Sequence, residues 1–213
     1  MDAPLHLDAT DELDGVVDPI VEALLDGQVV LLPTDTLYGI AALASDERAT
    51  ARLFDLKGRT AATPIAVLCA DARQAASLVD PADEAVVRSC GERWWPGPLT
   101  LVCRRRAGVE LHLGDPEDTV GLRVPDHPVV RMVAERVGPI ATTSANRHGE
   151  PPAVTVEEAL LSLGDGLAVA VDGGTIEGQA STVVDTTRHP WRSLRDGPIP
   201  ADDVIGHSQA HLL

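Results

Sequence analysis

The stretch QVVLLPTDT at 28–36 constrains this chain most: four consecutive apolar residues end at Pro33 and give way at once to two threonines flanking an acid. A short run that is apolar at every position, rather than at every second one, suits a strand buried on both faces. Such strands belong to parallel or mixed sheets covered by helices. Runs of the same kind recur in PIAVLCA at 64–70, PLTLVCRR at 98–105, TVGLRVP at 119–125, GPIATTSAN at 138–146 and LAVAVDGG at 167–174, with shorter ones in STVVDTT and WRSLRDG near the end. Several of them deliver hydroxyls or cations to a strand end, which is where open α/β sheets hold their ligands.

Helical patterns separate these runs. Asp18 and Pro19, an apolar stripe and Gly27 predict a helix at 18–26. Ser45 is placed to cap a second helix running to about residue 56, with Ala49, Leu53 and Leu56 facing inward and Gly58 ending it. Residues 71–79, 82–94 and 127–137 read as helices, and Thr155 with Glu158 forms a capping box for 156–163. Hydrophobic residues make up 44% of the 213, but only 2% are aromatic, so the core must be built from Val, Leu, Ile and Ala. The expectation is a single α/β domain over 12–205, with a loose tail over 206–213.

A formal net charge of −16 repels polyphosphate backbones and argues against a general nucleic-acid binder, whose footprint is a basic face. Cys69, Cys90 and Cys103 lie far apart, without a C-x-x-C pair or histidines spaced to complete a zinc site. They read as reduced core residues, and no metal ligand is assigned. The acidic N-terminus has no apolar export segment, and no stretch approaches the roughly 18 apolar residues of a membrane span, so the chain reads as cytoplasmic. G-x-x-x-x-G-K-[ST], G-x-G-x-x-G and G-x-S-x-G are all missing, which removes the sequence basis for a P-loop, a Rossmann site or an esterase elbow.

What remains are clusters at the ends of the expected strands: Thr34 and Thr36; Lys57, Arg59 and Thr63; Thr119 and Arg123; Thr142, Thr143, Ser144 and Asn146; Ser181 and Thr182; and Arg195. Each alone is accounted for by structure, since threonine favours strands and serine and asparagine favour turns. Arg123 is different. An arginine within VGLRVP must either reach an edge of the sheet or face an anion, because an unpaired buried guanidinium is costly. Lys57 is the single lysine among 17 Lys and Arg, two residues before Arg59 across a glycine. A mobile ammonium acts as a point charge, whereas an arginine fork matches carboxylate or phosphate oxygens. Together the set supplies what nucleotidyl transfer needs: cations against a triphosphate, hydroxyls that hold oxygens in place, and no covalent nucleophile.

LLPTDTLYGIAA, LKGRTAATPIAVL, WPGPLTLV, DTVGLRVPDHP, TTSANRHGEPP and STVVD followed by LRDGPI resemble, in order and spacing, the successive motifs of the YrdC family, the L-threonylcarbamoyladenylate synthases. The resemblance covers about residues 18–200. It implies a twisted mixed sheet flanked by helices around a concave, positively lined cavity. It also implies a reaction: L-threonine, bicarbonate or CO2 and ATP give threonylcarbamoyl-AMP and pyrophosphate, and a separate transferase uses the product to modify adenosine 37 of tRNA. By matched position, the threonine contacts fall on Thr36, Arg123, Thr142 and Ser181, with Arg123 taking the amino acid's carboxylate. The ATP contacts fall on Arg59, Thr63, Thr119, Ser144, Pro152 and Arg195. Lys57 and Asn146 complete the K-x-R and S-x-N signatures, which places Lys57 and Arg59 as catalytic cations beside a Mg2+ that accompanies the ATP phosphates. The chain departs from the pattern at Thr60, where proline is frequent, at Thr63, where Asn or Lys is frequent, and at Leu68, where some members carry a histidine. It ends before the second domain of the longer members and reads as the short form.

Two other readings stay open. One is a double-stranded RNA-binding module, opposed by the charge and the scarcity of aromatic residues for stacking. The other is a related carbamoyl-adenylate enzyme, like the YrdC-like segment of hydrogenase-maturation carbamoyltransferases, whose additional regions find no room here.

Overall fold

The computed structural model describes residues 3–58, 60 and 63–211. Along the chain run β1 (Leu5–Asp8), α1 (Leu13–Leu25), β2 (Val29–Leu32), β3 (Gly39–Leu43), α2 (Glu47–Lys57), β4 (Ala66–Leu68), α3 (Ala72–Ser77), a 3-10 turn (Pro81–Asp83), α4 (Glu84–Trp94), β5 (Leu99–Arg104) and β6 (Thr119–Arg123). There follow α5 (Pro128–Val137), β7 (Ile140–Ser144), α6 (Val156–Leu163), β8 (Leu167–Asp172), β9 (Thr182–Asp185), β10 (Arg192–Arg195) and α7 (Ala201–His211). The described strands form one sheet in the order β1-β8-β2-β3-β7-β4-β6-β5-β9-β10. Parallel pairs such as β2 with β8 and β4 with β6 stand beside antiparallel ones such as β3 with β7 and β5 with β6, so the sheet is mixed and the chain is α/β, as expected.

Side chains alternate along a strand, so each strand serves two faces. On one face, Val30 and Leu32 of β2, Ala41 of β3, Ile140 of β7 and Val169 of β8 pack against Val16, Val17, Ile20 and Leu24 of α1 and Val129, Val130 and Val133 of α5. On the other, Val29 and Leu31, Ile40, Ala141, Val67, Leu122, Leu101 and Val184 enter a larger core with Ala49 and Leu53 of α2, Cys90 of α4 and Ala159 of α6. The α1 and α5 side is covered over β8, β2 and β3. Continued across β7, β4, β6 and β5, the same face presents Thr142, Ala66, Gly121 and Val102, paired strand to strand, and these line a cavity instead.

Several boundaries differ from expectation for physical reasons. Helix α1 begins at Leu13, so Asp18 is not its cap and Pro19 lies inside it. An interior proline costs about 3 kcal/mol. Val16 and Val17, both fully buried in the first turn, each return about 1.5–3 kcal/mol on burial, enough to extend the helix backward. Asp46, not Ser45, caps α2: its carboxylate accepts from the backbone N–H of Arg48 and Ala49. Gly58 ends α2 as expected, in the left-handed conformation at φ 63°. Helix α6 matches 156–163, with the Thr155 hydroxyl accepting from the Glu158 N–H. Strands β1 and β3 were not expected. At the C-terminal end, Gly206 and His207 lie within α7, where Val204 is fully buried and His207 Nε2 sits 2.7 Å from Ser89 Oγ on α4. Among the described residues no helix is long and apolar enough to cross a membrane.

Candidate active site

The cavity on the uncovered part of the sheet has a volume of about 700 Å³. Thr119, Gly121 and Arg123 of β6 all line it because alternate residues of a strand share a face. Every described residue that the resemblance assigned to a substrate is on its wall, namely Thr36, Lys57, Thr63, Thr119, Arg123, Thr142, Ser144, Asn146, Pro152, Ser181 and Arg195, whereas Thr182 is fully buried behind it with its hydroxyl on the Ile199 carbonyl. Arg59 lies outside the described residues.

One pole is built around Arg123. β6 is an interior strand, between β4 and β5, so this arginine cannot escape to an edge, and it is only 6% exposed. It faces an anion instead: Nη2 donates to Asp35 at 2.5 Å, Nη1 to Thr36 Oγ1 at 2.7 Å, and Nε to the Gly97 carbonyl at 3.1 Å. Burial pushes its ionisation below the ordinary arginine value, and Asp35 pulls the other way. The loop after β2 delivers its two contacts because Thr34 Oγ1 accepts from the N–H of Thr36 and Leu37 and donates to the Leu37 carbonyl, closing a tight turn. The third contact depends on glycine. A Cβ at residue 97 would lie 2.6 Å from the Trp94 carbonyl oxygen, so only glycine lets the W-P-G-P turn fold onto the arginine.

The opposite pole is built around Lys57. Ala49, Leu53 and Lys57 recur every fourth residue on the buried stripe of α2, so the lysine continues an apolar face and is 4% exposed. Its ammonium donates to the Ser144 carbonyl (2.7 Å), Ser144 Oγ (3.0 Å) and Asn146 Oδ1 (2.8 Å), joining the K-x-R turn to the S-x-N turn at the end of β7. Asn146 Nδ2 donates in turn to the carbonyls of Arg147 and Glu150.

Beside the Arg123 pole, Arg195 on β10 donates from Nε to the Ser181 carbonyl (2.8 Å) and from Nη2 to Ser181 Oγ (2.9 Å), and Ser181 Oγ lies 2.8 Å from Thr100 Oγ1. Although Arg195 as a residue is exposed, desolvation of its guanidinium over the cavity and the like charge of Arg123 hold it below the ordinary arginine value. Three cations therefore converge on one small cavity in an acidic protein. Thr142 Oγ1 donates to the Ile40 carbonyl, and Leu68 provides apolar wall.

Sequence reasoning assigned no role to Asp35, Gly97, Gly121 or Ala66. Asp35 was signalled only by its place between two threonines; its partner lies 88 residues away. A signal was present for burial of Lys57, in the spacing of 49, 53 and 57.

A family model described as telomere recombination, covering the Sua5, YciO and YrdC proteins, matches residues 22–197. The chain belongs to the Sua5/YciO/YrdC family. A Mycobacterium tuberculosis member is 41% identical over 196 residues, 90% of either chain. The threonylcarbamoyl-AMP synthase of Bacillus subtilis is 35% identical over 205 residues, 93% of this chain and 59% of that one. The structure of Pyrococcus abyssi Sua5 complexed with L-threonine matches with a TM-score of 0.87 at 30% identity, covering 97% of this chain and 61% of that one. Every cavity residue discussed above lies within the part of this Sua5/YciO/YrdC chain that the family model matches.

Proposed function

We propose that this protein is an L-threonylcarbamoyladenylate synthase, a nucleotidyltransferase acting in the cytoplasm. It joins L-threonine, CO2 drawn from bicarbonate, and ATP into threonylcarbamoyl-AMP with release of pyrophosphate, and transferase proteins then carry the group to adenosine 37 of tRNA. The observation that carries this reading is Arg123. A guanidinium has five N–H donors, of which three go to Gly97, Thr36 and Asp35, leaving among the described contacts one N–H on each terminal nitrogen. Two uncommitted N–H groups match in number the two oxygens of a carboxylate, the anion an arginine fork commonly takes. It opens into a cavity of small-molecule size in a relative of named synthases, one of them a Sua5 complexed with L-threonine.

In this reaction the threonine amine takes up CO2 to become a carbamate, a carbamate oxygen attacks the α-phosphorus of ATP in line, and pyrophosphate leaves. Arg123 anchors the amino acid, with Thr36, Thr142 and Ser181 as further threonine contacts. Thr63, Thr119, Ser144, Asn146, Pro152 and Arg195 serve the nucleotide. Lys57 and Arg59 offset the charge that accumulates as two anions approach, and correct placement of both substrates supplies much of the remaining rate. Mg2+ accompanies the ATP phosphates; among the described residues no group of three His, Cys, Asp or Glu could hold a metal, so no carboxylate here is given a ligand role. Carboxylation of the amine releases its proton to solvent, no side chain here is nominated as general base for that step, and the carbamate so formed is already an anion when it attacks.

An ATP–pyrophosphate assay tests this. Pyrophosphate release should require both L-threonine and bicarbonate, and should be lost in Lys57→Ala and in Arg123→Ala. Release that ignores threonine, or near-normal release in both variants, would sink the assignment. The RNA-binding alternative fares worse, because the cations converge inside a cavity of a protein of net charge −16 rather than forming a basic face.

A further inference from the structure

A glycine in the middle of a strand weakens the sheet, since it has the most backbone freedom to lose and no side chain to pack. It persists where a ligand or another backbone must come close. Gly121 stands in the middle of β6, and nothing in the fold requires it there. Its φ lies outside the left-handed region. A Cβ built on it would meet Thr100 Cγ2 at 3.6 Å and Ala66 Cα and Cβ at 3.8 Å, ordinary van der Waals contacts that displace nothing. The chain itself could carry alanine at this position, so the space above Gly121 belongs to the cavity.

Where that space lies is set by register. Val102 pairs with Gly121 and Ala66 with Thr142, and Val67 pairs with Leu122 one residue on, so Val102, Gly121, Ala66 and Thr142 make one row across β5, β6, β4 and β7. Thr119 and Arg123 flank the row on the same strand face, each a step of roughly 6.6 Å away. An amino acid held by its carboxylate at Arg123, and a nucleotide reaching from the end marked by Thr119, Ser144 and Lys57, must bring their joining atoms over this row.

Resting on the synthase reading, we propose that Gly121, with Ala66 beside it, is a floor that determines which joined substrates fit: its missing side chain lets the threonine carbamate and the α-phosphate meet directly above the sheet. A methyl group here would leave both poles intact and obstruct only the junction. The two residues are positioning elements and take no part in bond making.

Gly121→Ala, Gly121→Val and Ala66→Val test this by thermal unfolding and by pyrophosphate release dependent on threonine and bicarbonate. Gly121→Ala should melt at or above the wild-type temperature. Its kcat should fall by roughly ten- to a hundredfold while KM for threonine and for ATP each stay within about threefold, because the obstruction acts on alignment and not on either substrate's own contacts. Gly121→Val should fall further, and Ala66→Val should reproduce the loss from the neighbouring strand. Wild-type kcat in the two Gly121 variants would overturn the proposal. So would a rise in one KM alone, which would put Gly121 inside a single substrate's pocket, or a marked drop in melting temperature of Gly121→Ala, which would show that the fold needs the glycine. Failure of the synthase reading is distinguishable, because it appears in the wild type: no threonine-dependent release there removes both claims at once.

Discussion

Lys57 and Arg123 show how a charged side chain can be held inside a sheet protein. The ammonium of Lys57 sits among Ser144 O, Ser144 Oγ and Asn146 Oδ1, an arrangement suited to a compact point charge. Lys57→Arg keeps the charge but forces a larger planar group into that nest; turnover should drop by about tenfold or more, by analogy with other overpacked sites, and steady-state kinetics at saturating substrates would show it. A second residue gives a pH dependence. Burial pushes the His127 imidazole below its ordinary value of 6.5, against the opposing pull of Asp35 and Asp126, and its buried Nδ1 has no hydrogen-bond partner among the described residues. A ring kept neutral in the fold but free to protonate when unfolded contributes stability that is complete above about pH 6.5, the unfolded value, and is lost as pH falls from there through the depressed folded value. Denaturation midpoints measured between pH 8 and pH 5 should therefore decline on the acid side, and decline less in His127→Gln. The anomaly of Arg123 was legible in VGLRVP, because a charge in an apolar run demands a partner. Which partner was not legible: Asp35 and Gly97 are distant in sequence, and their approach depends on how strands pair.

Helices α2 and α6 followed their local signals closely, whereas α1 overran its proline because buried valines outweighed it. The cap of α2 allows a direct check. Removing the carboxylate in Asp46→Ala should destabilise the protein by about 1 kcal/mol, with Asp46→Asn milder and Ser45→Ala near neutral. Urea unfolding with an unchanged m-value would measure it, and a larger effect at Ser45 would restore the cap that the sequence suggested. Strand β3, GIAAL, escaped notice because it is a short apolar run of small residues. It becomes a strand only by pairing with β2 and β7 on either side. In the same way α7 has weak amphipathic character of its own and is held by Val204, and by His207 against Ser89 and Trp94.

Across the whole molecule the two faces of one sheet account for both stability and chemistry. The larger core encloses Cys69, Cys90 and Cys103, all free thiols; burial pushes Cys90 and Cys103 up to about 12 and Cys69 higher still. Since the thiolate is the reactive form, a thiol reagent at neutral pH should leave all three unlabelled in the native protein and modify them together as denaturant crosses the unfolding transition. Rapid labelling of any one in the native state would contradict the packing described. The opposite face explains how an acidic chain gathers cations: α1 and α5 cover it over β8, β2 and β3 and at Ile140 of β7 and Leu68 of β4, and Lys57, Arg123 and Arg195 meet over what is left open. The α/β class, the aliphatic core, the main helices and most of the hydroxyl and cationic residues that line the cavity were written in the amino-acid order, because period, capping and hydroxyl-rich strand ends are local properties. Strand order, the partner of Arg123, the burial of Lys57 against β7 and the bare floor at Gly121 came only with the folded chain, since local periodicity says that a strand forms and is silent on which strand lies beside it.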